Sequence, residues 1–134
     1  MRVLVLQSWE RLRAKYGKDK KVIVTGHSLG GALATFCALD LKLQHNETDI
    51  QVYTLGSPRV GNEGFFKFFH AWIGDSVRLV HAYDVVPQLP PTFLGYHHIA
   101  REVWSLETNQ TQANGLPVLD NIVCDDSGED PNCR

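Results

Sequence analysis

One stretch of fifteen residues constrains the fold of this chain more than any other. It reads K-V-I-V-T-G-H-S-L-G-G-A-L-A-T over residues 21–35. The β-branched run from Val22 to Val24 suits a buried strand. The G-H-S-L-G that follows fits G-x-S-x-G, a sharp turn that joins a strand directly to a helix. The sequence therefore predicts a strand, a tight turn with Ser28 at its tip, and a helix that begins at Leu29.

This turn makes Ser28 a candidate nucleophile. We expect Ser28 to have a strained backbone, and we expect neighbouring backbone to leave no room for a Cβ at Gly26 or Gly30. A helix N-terminus has unpaired N–H groups and a positive dipole end, so the Leu29 N–H is a candidate oxyanion donor. The alternative is a glycine-punctuated turn without chemistry. The apolar strand before the turn and the small residues after it favour the nucleophile.

The remaining sequence predicts an α/β domain with a mostly parallel sheet flanked by helices. Val5, Trp9, Leu12 and Tyr16 have the spacing of one helix face, with Gly17 as the end of that helix. Strands separated by helices are expected to run parallel. The further predicted elements are the nucleophile helix to about Gln44, strands at 51–55, 77–82, 95–104 and 116–123, a helix at 63–73, and a polar turn at 108–115. The aromatic face of the helix at 63–73 is interpreted as core packing, with a ligand pocket as the alternative.

Asp84 is the best-placed acid. It directly follows the strand predicted at 77–82, and the carboxyl ends of parallel strands are where an open α/β sheet gathers its catalytic groups. It also follows Ser28 in the chain, as the order Ser, Asp, His requires. The alternative, a solvated turn carboxylate, suits Asp49 or Asp75 better. The apolar loop at 85–94 would suit an acyl chain, although core packing would use the same residues.

Composition excludes several classes of function. The chain has 134 residues, 43% of them hydrophobic, and a formal net charge of -2, which fits one domain and gives no nucleic-acid footprint. No apolar run is long enough for a signal-peptide core or a transmembrane segment. The sequence contains neither H-E-x-x-H nor a P-loop nor G-x-G-x-x-G, so we expect no metal and no cofactor.

The cysteines indicate an oxidising compartment. Cys124 and Cys133 bracket the acidic turn sequence D-D-S-G-E-D-P-N, which suits a local disulfide. Such a loop would stabilise the fold by about 2.5 to 3 kcal/mol in the chain-entropy model. A metal site is disfavoured because no histidine or third cysteine is near. Cys37 is predicted to be a buried thiol, and the sequons at Asn46 and Asn109 fit secretion.

Three segments resemble the class 3 lipases, the fungal-type triacylglycerol lipases of the α/β-hydrolase fold. They are T-G-H-S-L-G-G-A-L-A at 25–34, G-S-P-R-V-G-N at 56–62 and H-A-Y-D-V-V-P-Q-L-P-P at 81–91. Feruloyl esterases and plant phospholipases share the first segment. The resemblance implies a secreted serine esterase or lipase that acts on lipid or ester substrates, with Ser28 as nucleophile and Asp84 as catalytic aspartate. The cysteine spacing also resembles a small disulfide loop of the family.

The resemblance also implies that residues 1–134 are the middle of one domain. The family's N-terminal strands, its lid and the loop with the second oxyanion donor have no counterpart here. By spacing alone, His97 or His98 is the candidate base. The family instead places its base in a D-H-x-x-Y-like stretch after the disulfide loop, so we expect the base beyond Arg134, with His98 as the fallback. The alternative function is a non-catalytic lipid-binding or partner-binding remnant.

Overall fold

The computed structural model describes residues 2–133, and its elements alternate between helix and strand for most of the chain. In order they are α1 (Arg2–Tyr16), β1 (Val22–His27), α2 (Leu29–Gln44), β2 (Ile50–Leu55), α3 (Glu63–Trp72), β3 (Ser76–His81), two 3₁₀ turns (Val86–Gln88 and Thr92–Leu94), β4 (Glu102–Thr111) and β5 (Pro117–Val123). None of the helices in this range has the length and apolar character needed to span a membrane.

The five strands form one sheet in the order β1-β2-β3-β4-β5. The first four strands are parallel, and β5 pairs antiparallel with β4. The register places His27 beside Leu55 and Leu55 beside Leu79, so the carboxyl ends of β1, β2 and β3 lie at one edge of the sheet. The predicted α/β architecture with a mostly parallel sheet is confirmed.

The core lies between the sheet and the helices that connect its strands. Helix α2 packs on β1 and β2 through a buried cluster that also includes the inner side of α3: Ala38, Leu39, Leu41, Ile50, Val52, Phe69, Ile73 and Ile99. A second cluster joins Val80 and Trp104 to the cystine of Cys124 and Cys133. The predicted disulfide is confirmed, and Cys37 is a half-buried free thiol on α2.

Helix α1 packs on a face different from the predicted one. It ends at Tyr16 before Gly17, as expected, but the exposed fractions of Leu12 and Tyr16 are 55% and 53%. Trp9 contacts the core as predicted, but its neighbour on the inward face is Leu6, and Arg13 pairs with the buried Glu47. Arg13 also donates to the carbonyls of Gly17 and Lys20. Because this network fixes Arg13 inward, the adjacent Leu12 turns outward.

Helix α3 buries only part of its aromatic face. Phe69 is fully buried, whereas Phe68 and Trp72 are nearly half exposed. A ten-residue helix buries one strip of its surface against a sheet, and Phe68 and Trp72, four residues apart, form the strip beside that of Phe69. The prediction of core packing is therefore correct for Phe69 and wrong for Phe68 and Trp72.

Strand β4 begins later and ends later than predicted. The alternating segment at 95–101 is irregular because its backbone groups bond outside a strand ladder. Arg78 Nε donates to the Ile99 carbonyl, and Ser76 Oγ donates to the Ala100 carbonyl. At the other end, the strand runs through Thr111, into the segment predicted as a turn.

A groove of about 590 Å³ runs between the N-terminal half of α1 and the β1–α2 unit. Its walls include Val24 from β1 and Leu33 and Phe36 from α2, of which the last two are nearly half exposed. Strand β1 is also an edge strand of the sheet. The sheet within residues 2–133 therefore has an apolar border beside the predicted nucleophile turn.

Candidate active site

Ser28 occupies a strained turn between β1 and α2. Its φ and ψ are 55° and −129°, a conformation that costs a non-glycine residue on the order of 1–3 kcal/mol. The Ser28 N–H donates to the Leu55 carbonyl at 2.9 Å, and its carbonyl accepts from the Gly31 N–H at 2.9 Å. These bonds hold the turn against the end of β2. The local fold is thus the strand–turn–helix that G-x-S-x-G predicts.

Close packing around the turn explains Gly26 and Gly31, but not Gly30. A Cβ on Gly26 would lie 2.1 Å from the Gly30 carbonyl oxygen, and one on Gly31 would lie 2.7 Å from the Ser57 Cβ. A Cβ on Gly30 would have no neighbour within 4 Å. The prediction that Gly30 has no room for a Cβ is therefore wrong. Gly30 faces the open groove, and the tight contact between α2 and the end of β2 falls one residue later.

Leu29 is the first residue of α2, and its side chain is 67% exposed. The first four N–H groups of a helix have no acceptor within the helix. The Leu29 N–H belongs to this group, and the turn places it next to Ser28. The Leu29 N–H therefore stays a candidate oxyanion donor, because it is a helix N-terminal amide adjacent to Ser28.

Asp84 lies in the turn that follows β3. Its N–H donates to the His81 carbonyl at 3.1 Å, and its Oδ1 accepts from the Val86 N–H at 2.9 Å. The second carboxylate oxygen, Oδ2, lies above the end of the neighbouring strand β2. It is 2.7 Å from the point where a Cβ of Gly56 would stand. Gly56 is the first residue after β2 and has a φ of 55°, so it admits the carboxylate because it lacks a side chain.

Ser28 and Asp84 therefore converge on the end of β2. Ser28 is bonded to Leu55, the last residue of β2, and Asp84 lies over Gly56. The structure brings the two sequence-predicted residues to the same edge of the sheet from two different strands. This is the edge where α/β sheets carry their active sites.

The sequence-predicted candidate base, His98, is bonded away from Ser28 and Asp84. His98 is 4% exposed, and its Nε2 lies 2.7 Å from the Pro87 carbonyl oxygen. Burial, together with the charge of Arg78, lowers the pKa of His98 to about 2. Within residues 2–133, no histidine nitrogen hydrogen-bonds to Ser28 Oγ or to the Asp84 carboxylate. His27 Nε2 lies 3.8 Å from the point where a Cβ of Gly56 would stand.

A buried polar cluster beneath the Asp84 turn was not anticipated from the sequence. Arg59, 3% exposed, pairs with Glu129 through Nε at 2.7 Å and Nη2 at 2.8 Å. Arg78, 2% exposed, pairs with Glu102 at 2.7 Å. Burial alone would raise the pKa of Glu129, but hydrogen bonds from Arg59 and the His98 N–H lower it to about 2. The available signal was Arg59 itself, an arginine in the loop that follows a buried strand.

Comparisons with known proteins identify the family. Residues 1–94 match the family model described as lipase (class 3), and the chain belongs to this family. A secreted mono- and diacylglycerol lipase 1 of Fusarium solani is 48% identical over 109 residues, which are 74% of this chain and 32% of that protein. The chain thus spans about a third of the length of this curated relative.

Solved structures give the same result for the fold. The lipase of Rhizomucor miehei in complex with its propeptide is similar with a TM-score of 0.76 and 35% identity, over 97% of this chain and 40% of that one. A triacylglycerol lipase whose catalytic centre is described as a serine protease triad is similar with a TM-score of 0.75 and 35% identity, over 96% and 46%. The fold of this chain is part of an α/β-hydrolase fold.

Proposed function

We propose that this chain carries the nucleophile and the acid of a secreted lipase that hydrolyses carboxylic esters of acylglycerols. The observation that carries the proposal is the convergence of Ser28 and Asp84 on the end of β2. The strained turn presents Ser28 at a helix N-terminus, and Asp84 comes from the end of another strand at the same edge. Relatives named as mono- and diacylglycerol lipases and as a triacylglycerol lipase support the substrate class.

In the proposed reaction, Ser28 Oγ attacks the ester carbonyl carbon while a histidine takes its proton. The Leu29 N–H donates to the oxyanion that forms, and Asp84 orients the histidine and stabilises its charged form. Collapse of the tetrahedral species expels the alcohol, which takes the proton back from the histidine. Water then hydrolyses the acyl-serine by the same sequence of transfers.

The histidine of this triad is proposed to lie outside residues 1–134. His98 is unsuited because its Nε2 is bonded to Pro87 and its pKa is about 2, far below the range of a base active near neutral pH. The relatives extend well beyond the matched segment, which leaves room for a base and for a second oxyanion donor. We propose that the second oxyanion donor, like the base, lies outside residues 1–134.

Exposed apolar side chains around the two catalytic candidates support a lipid substrate. Leu29 is 67% exposed next to Ser28, and Val85 is 64% exposed next to Asp84. Phe93, at 83%, extends this surface along the loop that follows Asp84. Apolar surface of this kind is unfavourable in water and suits contact with acyl chains or a lipid–water interface.

The proposal is tested by ester hydrolysis in a longer chain and its variants. A chain lengthened to the span of its relatives should hydrolyse p-nitrophenyl esters, and Ser28→Ala or Asp84→Asn should abolish most of this activity. Ser8→Ala on α1 and Asp120→Asn on β5 are matched controls, because both residues are exposed and distant in the chain from the turn at Ser28. Full activity in Ser28→Ala would overturn the proposal.

The second candidate function is binding without catalysis, and it is favoured by the lack of a histidine on Ser28 or Asp84 within residues 2–133. It predicts that the lengthened chain is inactive but still associates with lipid vesicles. The same assay therefore separates the two functions.

A further inference from the structure

The loop that follows Asp84 is held by two residues, Arg59 and His98. Four consecutive carbonyls, at residues 87–90, each accept a hydrogen bond from one of two residues. His98 Nε2 lies 2.7 Å from the Pro87 oxygen. Arg59 supplies the other three bonds, from Nη1 to Gln88 at 2.7 Å and to Pro90 at 3.1 Å, and from its N–H to Leu89 at 2.8 Å.

One carboxylate in turn holds both of these residues. Glu129 accepts two parallel bonds from the Arg59 guanidinium, and its Oε1 also accepts from the His98 N–H at 3.0 Å. A bidentate pair of this kind fixes orientation as well as distance. The guanidinium plane of Arg59, and with it the direction of Nη1 towards the loop, is therefore set by Glu129.

Glu129 belongs to the loop closed by the Cys124–Cys133 disulfide. The same loop is bound from below, where Arg78 Nη2 donates to the Gly128 carbonyl at 3.2 Å. A continuous chain of contacts thus runs from the disulfide loop through Glu129 and Arg59 to residues 88–90, close behind Asp84.

We propose that Arg59 and Glu129 are positioning residues for Asp84, and that the disulfide loop supports the catalytic acid through them. The naming of Asp84 as the acid rests on the proposed function, whereas the mechanical link does not. Fold stability alone is a weak reason for this arrangement, because burying an ion pair is often no more stabilising than apolar packing of the same volume. What the pair adds is a fixed direction for the donors that hold the loop.

Hydrogen exchange of backbone amides, followed by mass spectrometry on the 134-residue chain at about one micromolar, tests the link without any substrate. The reporters are the Gln88 and Leu89 amides, which are bonded within the loop, and the comparison is with amides of β2. For Glu129→Gln we expect exchange of the reporters to rise at least tenfold while β2 changes less than twofold. The matched control is Asp126→Asn, since Asp126 lies in the same disulfide loop but pairs with the exposed Arg101. It should change neither set.

The disulfide provides a second measurement that is independent of how well a variant folds. Reduction of the wild-type chain should raise exchange of the reporters as Glu129→Gln does, and reduction of Glu129→Gln should add little, because both act through one contact. The proposal would be overturned if neither Glu129→Gln nor reduction changed the exchange rate of the reporter amides. It would also be overturned if exchange of the β2 amides rose as much as that of the reporters. A fully additive effect would overturn the part assigned to the disulfide.

Activity of the lengthened chain separates this inference from the proposed function. Glu129→Gln should lower kcat at least tenfold with little change in KM, and Glu129→Asp should recover part of the loss. A loop that loosens in a chain without esterase activity would support the link and contradict the function. An equal loss of kcat in Asp126→Asn would contradict the positioning assignment.

Discussion

The Asp84 carboxylate lies directly above Gly56, with Oδ2 2.7 Å from the place of a Gly56 Cβ. Gly56→Ala should therefore displace Asp84 and destabilise the fold. The positive φ alone costs an alanine about 1–2 kcal/mol. Gly115→Ala is the control, because Gly115 has a φ of 84° and open space where its Cβ would stand. Urea denaturation should show a larger loss for Gly56→Ala, and equal losses would mean that Asp84 does not occupy this position.

The two glycines after Leu29 should respond to alanine in opposite ways. A Cβ on Gly30 meets nothing, so Gly30→Ala should stabilise α2 by up to about 1 kcal/mol through helix propensity. A Cβ on Gly31 meets the Ser57 Cβ at 2.7 Å, and overpacking of this kind costs about 1–3 kcal/mol. Thermal unfolding of the two variants measures the difference. A destabilising Gly30→Ala would contradict the observed geometry of the turn.

The free energy of unfolding should fall as the pH decreases below about 6.5. The folded pKa of His98 is about 2, against an ordinary 6.5, so between these values only the unfolded chain binds the proton. Stability from His98 is complete above pH 6.5 and decreases below it, by about 2 kcal/mol at pH 5 at about 1.36 kcal/mol per unit. The pKa of Glu129 is lowered from 4.5 to about 2, so protonation of the unfolded chain at this residue reduces the free energy of unfolding further below pH 4.5.

Urea titrations followed by tryptophan fluorescence between pH 7 and 5 test this dependence on dilute protein. His98→Gln should remove most of the slope. His81→Gln should retain it, because His81 is half exposed and pairs with the exposed Glu107. An unchanged slope in His98→Gln would show that His98 is not the group responsible.

The 134-residue chain should aggregate at tens of micromolar and bind an apolar dye strongly. The groove beside α1 exposes Leu33 and Phe36, and β1 presents a strand edge. Leu33→Lys should reduce dye binding more than Leu116→Lys, whose site is an exposed turn residue away from the groove. A monodisperse wild-type monomer with a sharp thermal transition would contradict this prediction.

The order of helices and strands could be predicted from local sequence patterns. The features that could not be predicted depend on polar contacts between residues far apart in the chain. The turn at Ser28 was predictable from the residues on either side of it. The location of Asp84 at the same sheet edge was predictable because it directly follows a strand. The burial of Arg59 and Arg78 could not be predicted, because their partners, Glu129 and Glu102, lie far along the chain. Arg78 also explains the late start of β4, since it binds the Ile99 carbonyl in the segment that alternates like a strand.

The most direct test of the account is covalent labelling of Ser28 by a fluorophosphonate, located by peptide mass spectrometry. A serine without a base is a weak nucleophile, so we expect little labelling of the 134-residue chain. The lengthened chain should be labelled at Ser28 and lose most labelling in Asp84→Asn. Equal labelling of both chains, abolished in the short one by His98→Ala, would make His98 the base and contradict the account. Labelling of another serine in the lengthened chain would contradict Ser28 as the nucleophile.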